Sequence, residues 1–541
     1  MYDYIVVGGG SAGCTIASRL SEDPDSKVLL LEQGDRDWSP YIHLPVTYYK
    51  TSQSDMLTRY KLEPQHHQGG ITPEFVQGRV LGGGSSVNAM VYMRGIPQDY
   101  DQWEADGCHG WGYKDVLPYF KKAENNERFA GEVHGTEGPL SVSDQRQTHY
   151  LTKAWVRAAQ ELGINFNPDF NSGDQAGVGF YQVTMKDGLR CSAAAAYLRP
   201  ARKRENLTVQ TKTKALRILI ENNRAVGVEY FQKGQVVRAM ASQEVVVCSG
   251  AIGSPHLLLL SGIGPADHLR EIGVDVVHDL PGVGQNLQDH FDMFLIYELT
   301  GAHSYDKYKK LRWQAWAGLQ YALFRNGPVT SNVCEGGLCW YGADDDKLPT
   351  LQYHFLPGAG VEEGSDSTPS GNGCTTNVYQ SRPRSRGYVK LRSADPNVFP
   401  VVDPRYCAEE YDVECLAEGV RIGQEILQQK ALSPYVSHPY RPGGVLKTKA
   451  ERMEFVRETG QGALHPSGAC KMGTDEMAVV DTQLRVRGID GLRVADTSIL
   501  PRVPSGNLNA PAIMVGERAA DFIRGNKTSV ARSRESSHEF A

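Results

Sequence analysis

The chain opens with two short apolar runs that flank a segment of helical periodicity. Residues 4–7 are rich in β-branched side chains and end in glycines, residues 11–21 carry apolar residues at helical spacing, and residues 27–31 form a second apolar run. A strand, a helix and a second strand of this size predict a right-handed βαβ crossover in a parallel sheet.

The same kind of pattern returns further along the chain. Short buried strands are predicted at 226–230, 244–247 and 492–495, beside glycines or small residues, and helical periodicity occurs at 151–162 and 408–429. Strands that alternate with helices in this way are typical of an α/β fold.

The middle of the chain, from about 291 to 460, has a different pattern. The side chains of residues 351–355 alternate as in a half-buried strand, and residues 388–391 also resemble a strand. Tryptophan and tyrosine are more frequent here than in the rest of the chain. We therefore predict a second lobe of α+β type. Residues 358–373 are rich in Gly, Ser, Asp and Glu, which predicts an exposed loop, and the polar, aperiodic residues 527–541 predict a disordered tail.

Composition limits the class of protein. The chain has 541 residues, 40% hydrophobic and 22% charged, with a formal net charge of -6, so its length favours more than one lobe and nothing in its charge favours nucleic acid. Its ten cysteines form no CxxC pair, so we expect no metal site and a reducing compartment. Without a signal peptide pattern or a transmembrane run, we expect a cytoplasmic protein, with peripheral membrane association left open.

The glycine-rich turn between the first strand and helix carries the first functional signal. Gly8 permits a tight turn, Gly10 lets the backbone approach a pyrophosphate, and Gly13 allows close packing of helix and strand. Glu32 ends the second strand, where its carboxylate can accept hydrogen bonds from ribose hydroxyls. This unit predicts a bound dinucleotide, and by itself it does not distinguish FAD from NAD.

Later blocks carry a more specific resemblance. They are residues 78–101, which hold a second glycine-rich passage, 250–264, 465–473, 492–496 and 506–511. In this order they resemble the signatures and the C-terminal active-site region of the glucose-methanol-choline (GMC) oxidoreductases, from residue 4 to about residue 525.

The resemblance implies a GMC fold with FAD as cofactor. It implies a discontinuous, Rossmann-type FAD-binding domain at 1–150, 191–290 and 461–526, and a β-sheet substrate-binding domain at 151–190 and 291–460. In covalent members a histidine links to the flavin; Val87 matches that position here and cannot form the bond, so noncovalent FAD is expected.

The predicted cofactor contacts combine the first glycine turn with positions that match the family. They are Gly8, Gly10, Ser11, Ala12, Gly13, Glu32, Gln33, Arg79, Gly83, Ser86, Asn88, Ala89, Met90, Ala215, Ser249, Gly250, Asp496, Asn509 and Pro511.

The resemblance also implies the residues that carry the chemistry. An alcohol that gives up a hydride must also lose its hydroxyl proton, and histidine, with an ordinary pKa of about 6.5, can accept it. His465 matches the family's base, and Asn509 is predicted as its partner, holding the substrate oxygen. Asn332, Glu335 and His354 are polar residues among aromatic ones in the second lobe and are candidate substrate contacts.

The substrate and the electron acceptor stay open at this stage. Stretches 306–312, 331–337 and 352–356 resemble bacterial FAD-linked L-sorbose dehydrogenases, which implies oxidation of a sugar's primary alcohol to an aldehyde. Choline, aryl and aliphatic alcohols remain alternatives, with a quinone, a dye or oxygen as acceptor and a dehydrogenase favoured over an oxidase. Two alternatives come from other functional classes. One is a lyase in which FAD is only structural, and the other is a flavin-binding protein without enzymatic activity.

Overall fold

The computed structural model describes residues 1–343, 345–361 and 364–538, with the backbone alone from residue 526 onward. The strands of its first sheet are Tyr2–Val7, Val28–Leu31, Leu207–Gln210, Lys214–Glu221, Arg224–Gln232, Gln235–Val247 and Leu492–Val494. Tyr2–Val7 lies between Val28–Leu31 and Gln235–Val247 and runs parallel to both. The predicted βαβ unit is therefore confirmed, with the helix Ser11–Leu20 as its crossover.

Burial explains why the first strand contains almost no polar residue. Ile5 and Val6 are fully buried, as are Val28 and Leu29 on the neighbouring strand. A strand in a parallel sheet is covered on both faces, so both of its faces must be apolar.

In the second sheet, neighbouring strands run antiparallel to each other. Its strands are Gly177–Phe180, Phe291–Leu299, Gly336–Trp340, Leu351–Leu356, Gly373–Gln380, Val436–Arg441 and Gln461–Gly462. One face packs on the helix Glu410–Leu427, where Gly419 and Gly423 let Val378 and Leu295 approach closely. Because side chains alternate along a strand, the intervening residues point to the opposite face.

Other helices and small sheets cover these two. The longer helices are Pro97–Ala105, Tyr113–Ala123, Tyr150–Glu161, Gly250–Leu260, Ala266–Ile272, Leu311–Phe324, Lys449–Thr459 and Asn509–His538. The short strands are Leu57–Lys61 with Glu74–Gly78, Glu124–Asn126 with Leu140–Val142, Met185–Lys186 with Leu189–Arg190, Ile263–Gly264 with His278–Asp279, and Gln285–Leu287 with Gly387–Lys390 and Val401–Asp403.

The structure bears on two further expectations. The strand predicted at 388–391 is Gly387–Lys390, and it belongs to a small separate sheet with Val401–Asp403. The helix Asn509–His538 runs through most of the predicted disordered tail, because residues 526–538 contain neither glycine nor proline to end it. Residues 539–541 of that tail lie outside the described residues. The domain boundaries stay a prediction.

All ten cysteines are buried and free. Within the described ranges, no cluster of three or more His, Cys, Asp or Glu side chains could hold a metal ion. Over the same part of the chain, no helix is both long enough and apolar enough to cross a membrane.

Candidate active site

The glycine turn after the first strand is shaped by close contacts. Gly8 has φ of +106°, and a Cβ on it would lie 2.3 Å from the carbonyl oxygen of Cys248. A Cβ on Gly13 would lie 1.9 Å from the carbonyl oxygen of Gly8. Gly10 differs, since its Cβ position meets no atom within 4 Å and it lines a deep cavity. Gly8 and Gly13 thus serve packing, while Gly10 leaves room for a ligand.

The second glycine-rich passage lies directly against the first. The Gly82 N–H donates to the Gly9 carbonyl at 2.7 Å, and a Cβ on Gly83 would lie 2.7 Å from the Gly10 Cα. Gly84 also lines the cavity and has no atom within 4 Å of its Cβ position. The two passages, more than seventy residues apart in the chain, therefore form one cradle of bare backbone.

Glu32 lies at the edge of this cradle. Its Oε2 accepts from the Gly9 N–H at 2.8 Å and its Oε1 from the Gly34 N–H at 2.7 Å. Burial raises the pKa of its carboxyl to about 7. Each carboxylate oxygen keeps a second lone pair, so hydrogen bonds from ribose hydroxyls can still be accepted.

Asp496 and Asn509 also line the cavity wall. Asp496 accepts from the Gly250 N–H at 2.8 Å and the Ser254 hydroxyl at 2.5 Å, and burial raises its pKa. Asn509 Oδ1 accepts from the Ser11 hydroxyl at 2.8 Å, whereas its buried Nδ2 has no protein partner among the described residues. An open backbone cradle and an unsatisfied buried donor on the same cavity fit an elongated, polar cofactor such as FAD.

Most predicted cofactor contacts do line this cavity. They are Gly8, Gly10, Ser11, Ala12, Glu32, Gln33, Arg79, Gly83, Asn88, Ala89, Met90, Ala215, Ser249, Gly250, Asp496 and Asn509, and Val87 lies among them. Gly13, Ser86 and Pro511 do not. Gly13 packs the helix on the turn, the buried Ser86 hydroxyl donates to the Leu81 carbonyl at 2.7 Å, and Pro511 is buried in the first turn of its helix.

His465 also lines the cavity, and its tautomer follows from a chain of hydrogen bonds. His290 Nε2 lies 3.1 Å from the Ser381 carbonyl oxygen, which can only accept, so this nitrogen carries the proton of His290. His290 Nδ1 is then an acceptor, and it lies 3.0 Å from His465 Nδ1. His465 must therefore carry its proton on Nδ1, which leaves the lone pair on Nε2.

Asn507, rather than the predicted Asn509, is the partner of His465. Asn507 Nδ2 lies 3.1 Å from His465 Nε2, and Gln352 Nε2 donates to Asn507 Oδ1 at 3.3 Å, which orients the amide. Asn509 lies two residues further on, at the first turn of a helix, where its oxygen is held by Ser11. The turn geometry before that helix decides which asparagine reaches the histidine.

Burial keeps the imidazoles of this region neutral. It lowers the pKa of His465 to about 4 and that of His354 to about 3, and it lowers the pKa of His290 well below its ordinary value. A neutral His465 with its lone pair on Nε2 has the protonation state required of a general base at neutral pH.

A buried carboxyl group holds the backbone of His465 in place. Asp289 Oδ1 accepts from the His465 N–H at 2.7 Å, and Asp289 Oδ2 accepts from the Tyr406 hydroxyl at 2.6 Å. Burial raises the pKa of Asp289 to about 7. Asp289 and His290 are consecutive, so one short segment fixes both the backbone and the tautomer of His465.

The second sheet forms the wall opposite the cradle. From the strand Phe291–Leu299 it presents Asp292 and Phe294, and from the strand Gly373–Gln380 it presents Asn377 and Tyr379. The Asn377 amide donates to Asp292 Oδ2 at 3.1 Å. None of these residues is among the predicted contacts, although polar side chains at alternate positions of otherwise apolar strands are a signal for a lined site.

Among the three predicted substrate contacts, only His354 faces the cavity. Asn332 donates to the Ala89 carbonyl at 2.6 Å and so braces the second glycine-rich passage from behind. Glu335 is buried away from the cavity, and its oxygens accept from the His149 N–H and from the hydroxyls of Thr152, Tyr305 and Ser331. The structure places neither side chain on the cavity, because the partners that satisfy them come from distant segments.

Comparison with known proteins agrees with this site. The N-terminal and C-terminal models of the GMC oxidoreductase family match residues 2–292 and 383–516. The chain is 41% identical over 528 residues to an alcohol dehydrogenase [acceptor] of Pseudomonas putida, covering 97% of this chain and 96% of the relative. It is 42% identical over 534 residues to an oxygen-dependent choline dehydrogenase of Sinorhizobium fredii, covering 98% and 97%.

Solved structures show the same fold. Pyridoxine 4-oxidase from Mesorbium loti superimposes with a TM-score of 0.87 at 29% identity, over 96% of this chain and 99% of that one. A variant of Aspergillus oryzae formate oxidase gives a TM-score of 0.91 at 25% identity, over 98% of this chain and 99% of that one. The chain therefore belongs to the GMC oxidoreductase family and is an FAD-dependent oxidoreductase that acts on CH–OH donors.

Proposed function

We propose that this enzyme is a dehydrogenase that converts a primary alcohol to an aldehyde, with His465 as the general base. The observation that carries the proposal is the position of His465 Nε2, the nitrogen left unprotonated by the chain from Ser381 through His290, beside Asn507 on the cavity wall. Bound FAD supplies the hydride acceptor, the flavin N5 atom. The protein supplies the base, the orientation and the binding surface.

His465 and Asn507 have different roles at the hydroxyl group of the substrate. His465 Nε2 accepts the hydroxyl proton, and the alkoxide that results is a much better hydride donor than the alcohol. Without substrate, Asn507 Nδ2 donates to His465 Nε2 at 3.1 Å. When the alcohol binds, its hydroxyl group would replace this donor at Nε2, and the two N–H groups of Asn507 would hold the substrate oxygen while Gln352 keeps the amide oriented. Once protonated, His465 still donates through Nδ1 to His290, which keeps the ring in the same orientation.

The opposite wall indicates a polar substrate. Asp292 and Asn377 place a carboxylate and an amide on the cavity. A carboxylate there favours an alcohol with further hydroxyl groups or with a cationic group. L-Sorbose, which the sequence predicts, is of the first type; choline, which appears in the names of several relatives, is of the second.

Replacing Asn507 should damage turnover more than replacing Asn509. We expect Asn507→Ala to lower the rate of flavin reduction at saturating alcohol roughly 10²-fold, as for loss of one preorganised donor to a developing oxyanion. Asn509→Ala removes the contact with Ser11 and should instead weaken FAD retention. Single-turnover reduction of enzyme with a full complement of FAD separates the two effects, and equal rate losses would contradict the assignment.

The acidic limb of the pH profile should report His465. Because its pKa lies at about 4, His465 is neutral from mildly acidic to neutral pH, so kcat/KM should be level there. Below that pKa the protonated ring cannot accept a proton, and kcat/KM should fall about tenfold per pH unit. A fall centred near the ordinary histidine pKa would show that the base is not this histidine with its lowered pKa.

A substrate panel tests the proposed function. Flavin reduction without oxygen would be followed for wild type and Asp292→Asn with L-sorbose, choline, an aryl alcohol and an aliphatic alcohol. For a cationic substrate the loss of the Asp292 charge should raise KM far more than for a neutral one. Flavin that stays oxidised with every alcohol would exclude the dehydrogenase and favour a lyase.

The electron acceptor is tested with the best alcohol from that panel. A dehydrogenase should reduce an added quinone or dye rapidly and release little peroxide under air. Peroxide formed in equal amount to the aldehyde, at the rate seen with the dye, would identify an oxidase instead.

A further inference from the structure

The helix Leu311–Phe324 exposes an unusual number of large apolar side chains. Their exposed fractions are 80% for Leu311, 57% for Trp316, 50% for Leu319, 64% for Leu323 and 68% for Phe324. A helix that is apolar on nearly all sides is normally buried in a protein core or in lipid. A contiguous exposed apolar face of this kind marks an interaction surface.

The opposite side of the helix holds it firmly to the protein. Ala317 and Tyr321 are buried and pack with Val329, and Leu44 and Val46 pack against the same group. Val46 also contacts the cluster that contains Tyr48, a residue of the cavity wall. The helix is therefore packed against the protein next to the cavity, and its outer face belongs to this fixed element.

The charged residues of the segment that carries this face all have one sign. Residues 307–326 contain Lys307, Lys309, Lys310, Arg312 and Arg325 and no aspartate or glutamate, although the chain as a whole carries a net charge of -6. Lys309 pairs with the preceding Asp306 at 2.8 Å, while Lys310 and Arg312 are exposed at the N-terminal end of the helix. A positive rim around apolar side chains complements an anionic surface.

We propose that the outer face of the helix Leu311–Phe324 docks the enzyme onto an anionic lipid bilayer, with the helix in the interfacial plane. Trp316, Leu319 and Phe324 would enter the boundary between headgroups and acyl chains, where tryptophan is favoured. Lys310 and Arg312 would contact anionic headgroups. A second copy of the chain fits less well, because a twofold contact on this face would bring its positive rims together.

Vesicle binding of the FAD-loaded enzyme tests the proposal. Wild type should sediment with vesicles of phosphatidylcholine and phosphatidylglycerol, much less with phosphatidylcholine alone, and added salt should weaken binding. In Lys310→Gln/Arg312→Gln the affinity should fall about fivefold per charge removed. In Trp316→Gln/Leu323→Gln/Phe324→Gln it should fall more than about tenfold.

A matched variant distinguishes binding through this surface from nonspecific adsorption through exposed apolar side chains. Phe231→Gln/Val236→Gln/Met240→Gln removes the same number of exposed apolar side chains from the hairpin of Arg224–Gln232 and Gln235–Val247, and it should bind vesicles as wild type does. Flavin content and activity with a soluble dye should be unchanged in all variants. Wild type that ignores anionic vesicles, helix variants that still bind them, or a dimer in sedimentation equilibrium that only the helix variants dissociate would each overturn the proposal.

Discussion

His465→Gln should lower the rate of flavin reduction by the best alcohol roughly 10²- to 10⁴-fold, the usual contribution of a general base. Glutamine can hydrogen-bond to His290 and Asn507 but cannot accept a proton at neutral pH, so the geometry is kept and the chemistry is lost. Rapid-mixing measurements of the oxidised-flavin absorbance without oxygen give this rate directly. FAD content and thermal stability should stay close to those of wild type.

His354→Gln is the matched control for that substitution. His354 is also neutral and on the cavity wall, but its Nε2 lies 3.2 Å from the Gln352 amide nitrogen and so belongs to a different hydrogen-bond chain. We expect a change in KM with a much smaller change in the limiting rate. If both variants lost the same limiting rate, or if His465→Gln kept the wild-type rate, His465 would not be the base.

Gly10→Val should abolish the stable binding of FAD without harming the apoprotein. Gly10 has φ of -79° and ψ of -163°, which valine adopts readily, and no protein atom lies within 4 Å of its Cβ position. The added Cβ therefore enters space that is open in the protein and that the ligand would fill. We expect the affinity for FAD to fall at least roughly 100-fold, equivalent to about 3 kcal/mol.

The measurements are flavin content after purification, FAD titration of the apoprotein, and its melting temperature. Gly443→Val is the control, since Gly443 is exposed, far along the chain in a surface turn, and also has open space at its Cβ position. Both apoproteins should melt like the wild-type apoprotein, and only Gly10→Val should lose FAD. A Gly10→Val protein purified with full flavin would show that the turn does not approach the cofactor.

Local patterns sufficed for the parts of the molecule that depend on neighbours in the chain. The first strand, the glycine turn and Glu32 lie within about thirty residues, and their geometry follows from burial on both faces of a strand and from the need for backbone without a Cβ. The resemblance to the family added the remaining cofactor segments and His465. These expectations agree with the cavity, apart from Gly13, Ser86 and Pro511.

The partner of His465 and the substrate wall depend on contacts between distant segments. Asn507 and Asn509 are the same residue type two positions apart, and only the turn into the last helix decides which of them reaches His465. The sequence suggests Glu335 as a substrate contact, but in the folded chain four protein donors surround its carboxylate. In the same way, the tautomer of His465 depends on a carbonyl group at Ser381.

The sequence by itself therefore determined the glycine turn with Glu32, whose backbone geometry is local, and through the resemblance of its later blocks it determined the family and the cofactor and pointed to His465 as the proposed base. Only the tertiary structure decided which side chains orient His465, which polar residues face the cavity, and which apolar face is left uncovered. The physical reason is that hydrogen-bond satisfaction and burial are properties of the packed chain, and residues of the same type take different roles according to the partners that folding brings to them.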